Sequence, residues 1–190
     1  PATNAEVQTD QHRLDQIKQL LSGRKKPLNI VMVVMESTAL ADSSLADGHR
    51  YDTTPFLASL RDSSLLFSHY YSIVSASTRS IFTILSGLYP YMDRQSDLTK
   101  YSHLKISTLP RRLHEKGLAT GFFASSDSMF EGLDSFLCAE PWDMYFDKNI
   151  HDAAMPAGMG TDYWGVDEEV AVDELLGWVR AQKDAGVPFF

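Results

Sequence analysis

The apolar positions of this chain fall into blocks with two different periods. Residues 28–35 are nearly uninterrupted and rich in β-branched side chains, which predicts a fully buried strand. Ahead of it, Leu14, Ile17, Leu20 and Leu21 recur at helical spacing within residues 11–22. Gly23 would close that helix, and Lys25, Lys26 and Pro27 would break it. Residues 1–10 are polar and expected to be loose, and residues 37–53 read as a loop. Thr54 is placed to cap a helix starting at Pro55, with Phe56, Leu57 and Leu60 inward. Residues 65–71 read as a strand and 78–86 as a helix closed by Gly87 and Pro90.

A second α/β unit follows. Thr108 caps a helix over 109–116, Gly117 ends it, and 118–124 is a strand. A helix over 127–137 and a polar loop over 147–163, containing Gly158 and Gly160, come next. Residues 166–184 predict a helix with Val172, Leu175, Leu176 and Val179 on one face. Residues 187–190 look like the start of another strand. Trp142, Tyr145, Phe146 and Trp164 are read as core or loop packing. No internal repeat or low-complexity tract is present. Alternating strands and helices predict an α/β fold with a mainly parallel central sheet flanked by helices. The break at a strand start implies a domain truncated at its C-terminus, and Pro1 without a preceding Met implies an excised segment.

With 190 residues the chain can build one sizeable core. Its 44% hydrophobic and 22% charged residues are ordinary for a globular domain. The net charge of −8 argues against nucleic acid as a partner. That charge is uneven: residues 11–26 and 100–116 carry Lys and Arg, and residues 127–174 are acidic. Cys138 is the only cysteine, which excludes an internal disulfide and a cysteine-based zinc site. No apolar run reaches the roughly 18 residues of a membrane span, and no signal peptide is visible. Membrane association would require segments outside this sequence, and oligomeric state is not encoded in any pattern found.

Two segments carry candidate chemistry. Asn29-Ile-Val-Met-Val-Val-Met-Glu36-Ser37 is a strand-like run ending in a carboxylate. Ser77-Thr78-Arg79-Ser80-Ile-Phe-Thr-Ile-Leu-Ser86-Gly87-Leu-Tyr-Pro90 is a hydroxyl-rich turn opening a helix. Strand C-termini are where open α/β sheets place chemistry, and helix N-termini favour anions. Glu36 is thus either a solvated strand-end charge or a hard oxygen ligand for a divalent cation. Ser77 is either an N-cap or a nucleophile, and a nucleophilic serine needs activation. A cation bound to its oxygen would lower its pKa, so Glu36 and Ser77 gain weight jointly. Arg79 is either a solvated first-turn arginine or a clamp for an ester oxygen. The histidines (His12, His49, His69, His103, His114, His151) show no tight ligand spacing. His49 and His69 flank the candidate site most closely in sequence. P-loop, GxGxxG, GxSxG and kinase motifs are absent.

The ordered set Asn29–Ser37, Thr54-Pro55-Phe-Leu-Ala-Ser-Leu60, Leu66-Phe67-Ser-His-Tyr-Tyr-Ser72 and Ser77 through Pro90 resembles the sulfatase-type branch of the alkaline phosphatase superfamily. Thr108-Leu-Pro-Arg-Arg-Leu-His-Glu-Lys-Gly117, Gly121-Phe-Phe, Tyr163-Trp-Gly-Val-Asp167 and Pro188-Phe-Phe190 agree with it in order. The resemblance covers residues 27–190 and leaves 1–26 as an N-terminal helix and linker. Residues 27–190 would then be the N-terminal portion of a sulfatase-like catalytic domain. Within the branch the chain is similar to lipoteichoic acid synthases and related phosphoglycerol or phosphoethanolamine transferases. Glu36 falls where those enzymes have Glu, and Ser77 falls on their Thr or Ser nucleophile, a fixed distance before Leu-Tyr-Pro.

The resemblance implies a metal-dependent enzyme acting on phosphate esters through a covalent phospho-Ser77 intermediate. It would transfer or hydrolyse a phosphoglycerol- or phosphoethanolamine-type head group from a phospholipid or glycan ester. It implies one divalent cation (manganese, zinc or magnesium) held by Glu36, Ser77 and an Asp-His pair expected beyond Phe190, so the segment alone would be inactive. It also implies the extracytoplasmic face of a bacterial cell envelope. Two alternatives stay open. One is a sulfatase with a serine converted to formylglycine; Ser75-Ala-Ser-Thr-Arg79 and Ser77-Thr-Arg-Ser-Ile81 both depart from its C/S-x-P/A-x-R pattern. The other is a catalytically silent domain binding an anionic glycan or lipid head group.

Overall fold

Two parallel strands with helices on both faces organise the larger part of the chain. The computed structural model describes residues 11–12, 14–16, 18–19, 22–23, 27–46, 48, 51–67, 70–90, 98–101, 104–151 and 164–190. These form two compact units, one from residues 1–25 and 33–72 and the other from 26–32 and 73–190.

In the first unit the described residues between 11 and 19 are helical, as their apolar spacing predicts. The described residues between 37 and 53 form a loop, with a short 3-10 turn at Leu40–Asp42. Helix α1 (Pro55–Ser59) begins at the expected proline, but Thr54 does not cap it. The Thr54 hydroxyl instead accepts from the Ser44 N–H (2.9 Å), and the Ser44 hydroxyl accepts from the Thr54 N–H (2.8 Å). Ser44 also donates to Asp52 at 2.6 Å. The reciprocal pair satisfies two donors in a buried loop neck, which outweighs a cap on a five-residue helix. Residues 65–67 and 70–71 are not a strand, and Phe67, Tyr70 and Tyr71 are exposed. Aromatic enrichment marks a surface that fits a sheet; the strand itself requires a paired neighbour.

In the second unit, helix α2 (Ser77–Ser86) is one residue longer than predicted and ends on Gly87 at φ +70°. Helix α3 (Leu109–His114) is capped by Thr108, whose hydroxyl accepts from the Arg111 N–H at 3.4 Å. Strand β1 (Gly121–Phe123) lies within the predicted 118–124. The predicted helix 127–137 breaks into a short turn at Phe130–Gly132 and helix α4 (Leu133–Leu137), because Glu131 adopts a left-handed conformation (φ 51°, ψ 28°). Strand β2 (Met144–Phe146) falls where sequence reading placed only packing residues. Helix α5 (Lys148–His151) opens the expected polar loop, whose residues 152–163 lie outside the described ones. Helix α6 is Glu168–Ala185.

β1 and β2 pair in parallel, with Phe122 opposite Tyr145 and Phe123 opposite Phe146. On the other side of β1, Ala119 bridges Phe189 in parallel. Beyond that, the Ile30 N–H donates to the Phe189 carbonyl at 2.8 Å. Strand-like segments therefore run in the order 30, 188–190, 119–123, 144–146, with the last three parallel to one another. One face carries Phe122 and Tyr145 against a core of Phe82, Leu85, Leu98, Leu133, Phe136 and Leu137. The Phe82 and Phe136 rings lie 5.1 Å apart. On the opposite face Trp178 of α6 meets Phe123 (5.7 Å) and Phe189 (5.6 Å). A Cβ at Gly121 would stand 2.7 Å from the Phe123 ring and 3.2 Å from this indole, so a larger residue there would force the rings to shift.

Two predictions about faces fail. Residues 28–35 form no strand, and Ile30 through Met35 are exposed, Val33 at 74%. An apolar run becomes buried only when elements pack over both its faces, and none covers it among the described residues. On α6 the inward line is Ala171, Leu175, Trp178 and Val179; Val172 and Leu176 point outward. The large indole at 178 sets the rotation of the helix.

Candidate active site

Glu36 follows the apolar run 28–35 and sits exposed in a turn of the first unit. The next residue, Ser37, has φ +52°, and Thr38 donates its hydroxyl to the Glu36 carbonyl at 3.1 Å. A non-glycine residue held there costs roughly 1–3 kcal/mol, and such outliers cluster where a chain is re-aimed for function.

Ser77 belongs to the second unit. It is the first residue of α2 and is exposed. The N-cap is Ala76, in an extended conformation with no side-chain oxygen to accept from the first turn. Sequence reading left Ser77 open between cap and nucleophile; the structure takes it out of the cap position. The positive end of the helix dipole and the uncapped first turn together favour an anion beside the Ser77 hydroxyl. Arg79, half-buried, lies two residues on in the same first turn, a spacing at which helical side chains do not face each other. Ser75 is exposed and precedes the helix, and Ser80 donates to the Val74 carbonyl at 3.2 Å.

Thr78 is the residue that sequence reasoning missed. It is buried, and its hydroxyl donates to the Glu131 carboxylate at 2.5 Å. Glu131 is the left-handed residue between β1 and α4. This contact puts the start of α2 beside the loop leaving the C-terminal end of β1. The sequence signal was faint: a Glu-Gly pair interrupting an otherwise helical pattern.

Around the same strand ends, the backbone of 125–127 joins that of 164–166. Val166 N–H donates to the Ser125 carbonyl (2.9 Å) and Asp127 N–H to the Trp164 carbonyl (3.1 Å). Gly165 is required there, because a Cβ would sit 2.3 Å from the Ser125 carbonyl oxygen. Buried Asp147 follows β2 and accepts from the Tyr145 hydroxyl (3.3 Å) and the Asn149 N–H (3.0 Å). Burial first, and then the Asp147 charge, push the Tyr145 phenol well above its usual range. It therefore stays a neutral donor.

A cleft of about 420 Å³ lies at the opposite, N-terminal ends of the strands, lined by His114, Asp143 and Gln182 among others. There His114 Nδ1 approaches Asp143 at 3.3 Å, and Asp143 accepts from the Thr120 N–H at 2.7 Å. Its position, away from the strand C-termini, makes it a packing feature rather than the reaction site.

No group of three or more His, Cys, Asp or Glu side chains able to hold a metal ion occurs among the described residues. Glu36 in the first unit and Ser77 in the second each offer a hard oxygen of the kind manganese, magnesium or zinc takes, and neither by itself makes a cation site. His49 and His69 lie outside the described residues. No described helix is long and apolar enough to cross a membrane.

A search of curated proteins finds no match. The crystal structure of the lipoteichoic acid synthase LtaP from Listeria monocytogenes is similar in fold, with a TM-score of 0.60 at 19% identity over 73% of this chain. The chain spans about a third of the length of that structure, 33%. This likeness shows an alkaline-phosphatase-like α/β fold. The family model for Sulfatase matches residues 28–190, nearly everything after the N-terminal helix. Members of this family generally use a divalent metal. By that match, over most of its length and in agreement with the fold, the chain belongs to the sulfatase family of the alkaline phosphatase superfamily.

Proposed function

We propose that this chain contributes the nucleophile and one metal ligand of an enzyme that transfers or hydrolyses phosphate esters. The observation that carries the reading is Ser77: an exposed hydroxyl at the first residue of α2, with alanine at the cap. Its oxygen would form a bond to phosphorus as the bond from phosphorus to the leaving-group oxygen breaks. The leaving group departs with a proton. In the second half an alcohol or water oxygen bonds to phosphorus, Ser77 is released and regains its proton. Arg79 would hold the non-bridging oxygens of the ester.

Glu36 and the Ser77 oxygen are the residues of this chain that would hold the divalent cation. When bound, that cation lowers the pKa of the serine hydroxyl and offsets charge on the ester. The reading extends to a phosphoglycerol- or phosphoethanolamine-type head group on a phospholipid or glycan, and to the extracytoplasmic face of the cell envelope. The LtaP fold supports both extensions. Sulfate-ester hydrolysis through formylglycine is less well supported, because neither Ser75 nor Ser77 sits in the required pattern.

Mass spectrometry of the peptide spanning residues 75–80, taken from the full chain quenched during turnover, tests the reading. Phosphate on Ser77 supports it. Formylglycine at 75 or 77 would replace it with the sulfatase. Unmodified serine, with no turnover of phosphate or sulfate esters, would leave a head-group-binding domain.

A further inference from the structure

We infer that Glu131 is a positioning residue that sets the geometry of the nucleophile through Thr78. This inference rests on the reading of Ser77 as nucleophile. Glu131 acts through Thr78, one residue along the helix from the nucleophile.

The Thr78 hydroxyl is 2% exposed and donates to Glu131 Oε2 at 2.5 Å. Thr78 directly follows Ser77 in the first turn of α2, whose N-cap, Ala76, offers no side-chain oxygen. A helix start without a cap frays, and a fraying turn would carry the Ser77 oxygen with it. The Glu131 contact supplies from a distant segment the restraint that the cap omits. It also places a carboxylate beside the positive end of the helix, where charge and dipole attract.

The anchor is itself held from both sides. Upstream, Ala124 N–H donates to the Phe146 carbonyl (3.0 Å) and Asp127 N–H to the Trp164 carbonyl (3.1 Å). Downstream, Gly132 N–H donates to the Met129 carbonyl (3.2 Å) and Asp134 N–H to the Ser128 carbonyl (2.7 Å). Between them Glu131 and Gly132 are both left-handed, at φ 51° and 70°. A conformation this unfavourable for glutamate persists only where its surroundings over-determine it. The result is a rigid brace running from the end of β1 to the nucleophile helix. Catalysis gains from such a brace because small misplacements of a reacting atom carry large rate penalties.

The test uses the full-length enzyme with manganese and the chromogenic diester bis(p-nitrophenyl) phosphate. Five variants are compared with wild type: S77A, E131A, E131Q, T78V and E131A combined with T78V. Burst amplitude counts competent sites, and kcat and KM are read separately. Glu131→Ala and Thr78→Val should each lower kcat by about 10- to 100-fold at unchanged burst amplitude and with KM nearly constant. Glu131→Gln, whose amide oxygen still accepts from Thr78, should restore kcat to within about threefold. The combined E131A and T78V variant should be no worse than either alone, since both remove one contact. A merely structural contact would lower burst amplitude and leave kcat per competent site intact, which overturns the inference. So does wild-type kcat in T78V, should E131A not fold. Activity in S77A would instead sink the reading of Ser77, a result distinct from these.

Discussion

Thr78 and Glu131 stand 53 residues apart in sequence and meet through a hydrogen bond of 2.5 Å. The contact joins the helix that begins with Ser77 to the segment that leaves β1. It works because Glu131 accepts a left-handed backbone, which swings its carboxylate off the helical path that residues 127–137 would otherwise follow. The helix carrying the candidate nucleophile is thereby tied to the end of the sheet where α/β enzymes place their chemistry.

Ser77→Ala in the full-length enzyme should abolish turnover of a chromogenic phosphodiester, whereas Ser75→Ala should retain it. Ser77 is the exposed first residue of α2, and Ser75 lies ahead of the helix. Removing the attacking oxygen closes the covalent route altogether. The measurement is steady-state release of nitrophenolate; near-normal rates in Ser77→Ala would move the nucleophile elsewhere.

Glu36→Ala should raise the manganese concentration needed for half-maximal activity of the full-length enzyme. It should also weaken binding in a calorimetric titration without substrate. For the 190-residue chain alone, two hard-oxygen donors predict affinity weaker than about micromolar, since cation sites gather three or more protein ligands. Tighter binding that disappears in Glu36→Ala would show further ligands within this segment, with His49 and His69 the first to test.

Thr108→Ala should destabilise the fold by about 1–3 kcal/mol through loss of a cap and of a buried acceptor's partner. The Thr108 hydroxyl is fully buried, accepts from the Arg111 N–H and donates to the Glu140 carboxylate. Glu140 is itself buried and pairs with the Arg111 guanidinium at 3.6 Å. Urea unfolding checks this: the midpoint should fall while the slope stays constant. An unchanged midpoint would show that water replaces the hydroxyl without loss.

Cys138 should alkylate slowly at neutral pH although the residue is exposed. Desolvation of its sulfur, and then the charges of Asp134 and Asp147, push the thiol pKa up. A raised pKa means less thiolate at neutral pH, so the iodoacetamide rate should climb with pH and level off above the usual thiol range. Asp134→Asn removes one of the raising charges and should shift that curve to lower pH. A neutral-pH rate equal to that of glutathione would contradict the shift.

Much of the framework was readable from local signals. Thr108, Gly117 and the apolar positions between them predicted α3, and Gly87 predicted the end of α2. The strand within 118–124 and the helix after Asp167 were equally plain. Strand β2 was not, because three residues, Met144-Tyr-Phe146, are too few to show a period of two. The run 28–35 misled in the other direction: its composition signals burial, but burial depends on what packs over it.

The same division holds at the candidate site. The chain's own order placed a carboxylate after an apolar run and a hydroxyl at a helix start, because caps, breakers and strand ends act within a few residues. Tertiary structure decided that Ala76, not Ser77, is the cap, that α6 turns Trp178 toward Phe123 and Phe189, and that Thr78 is tied to Glu131. These depend on parallel pairing of β1 with β2 and with the segment at Phe189, across long stretches of chain. No local pattern can encode which distant group will satisfy a buried hydroxyl; the packing of the sheet and its helices chooses it.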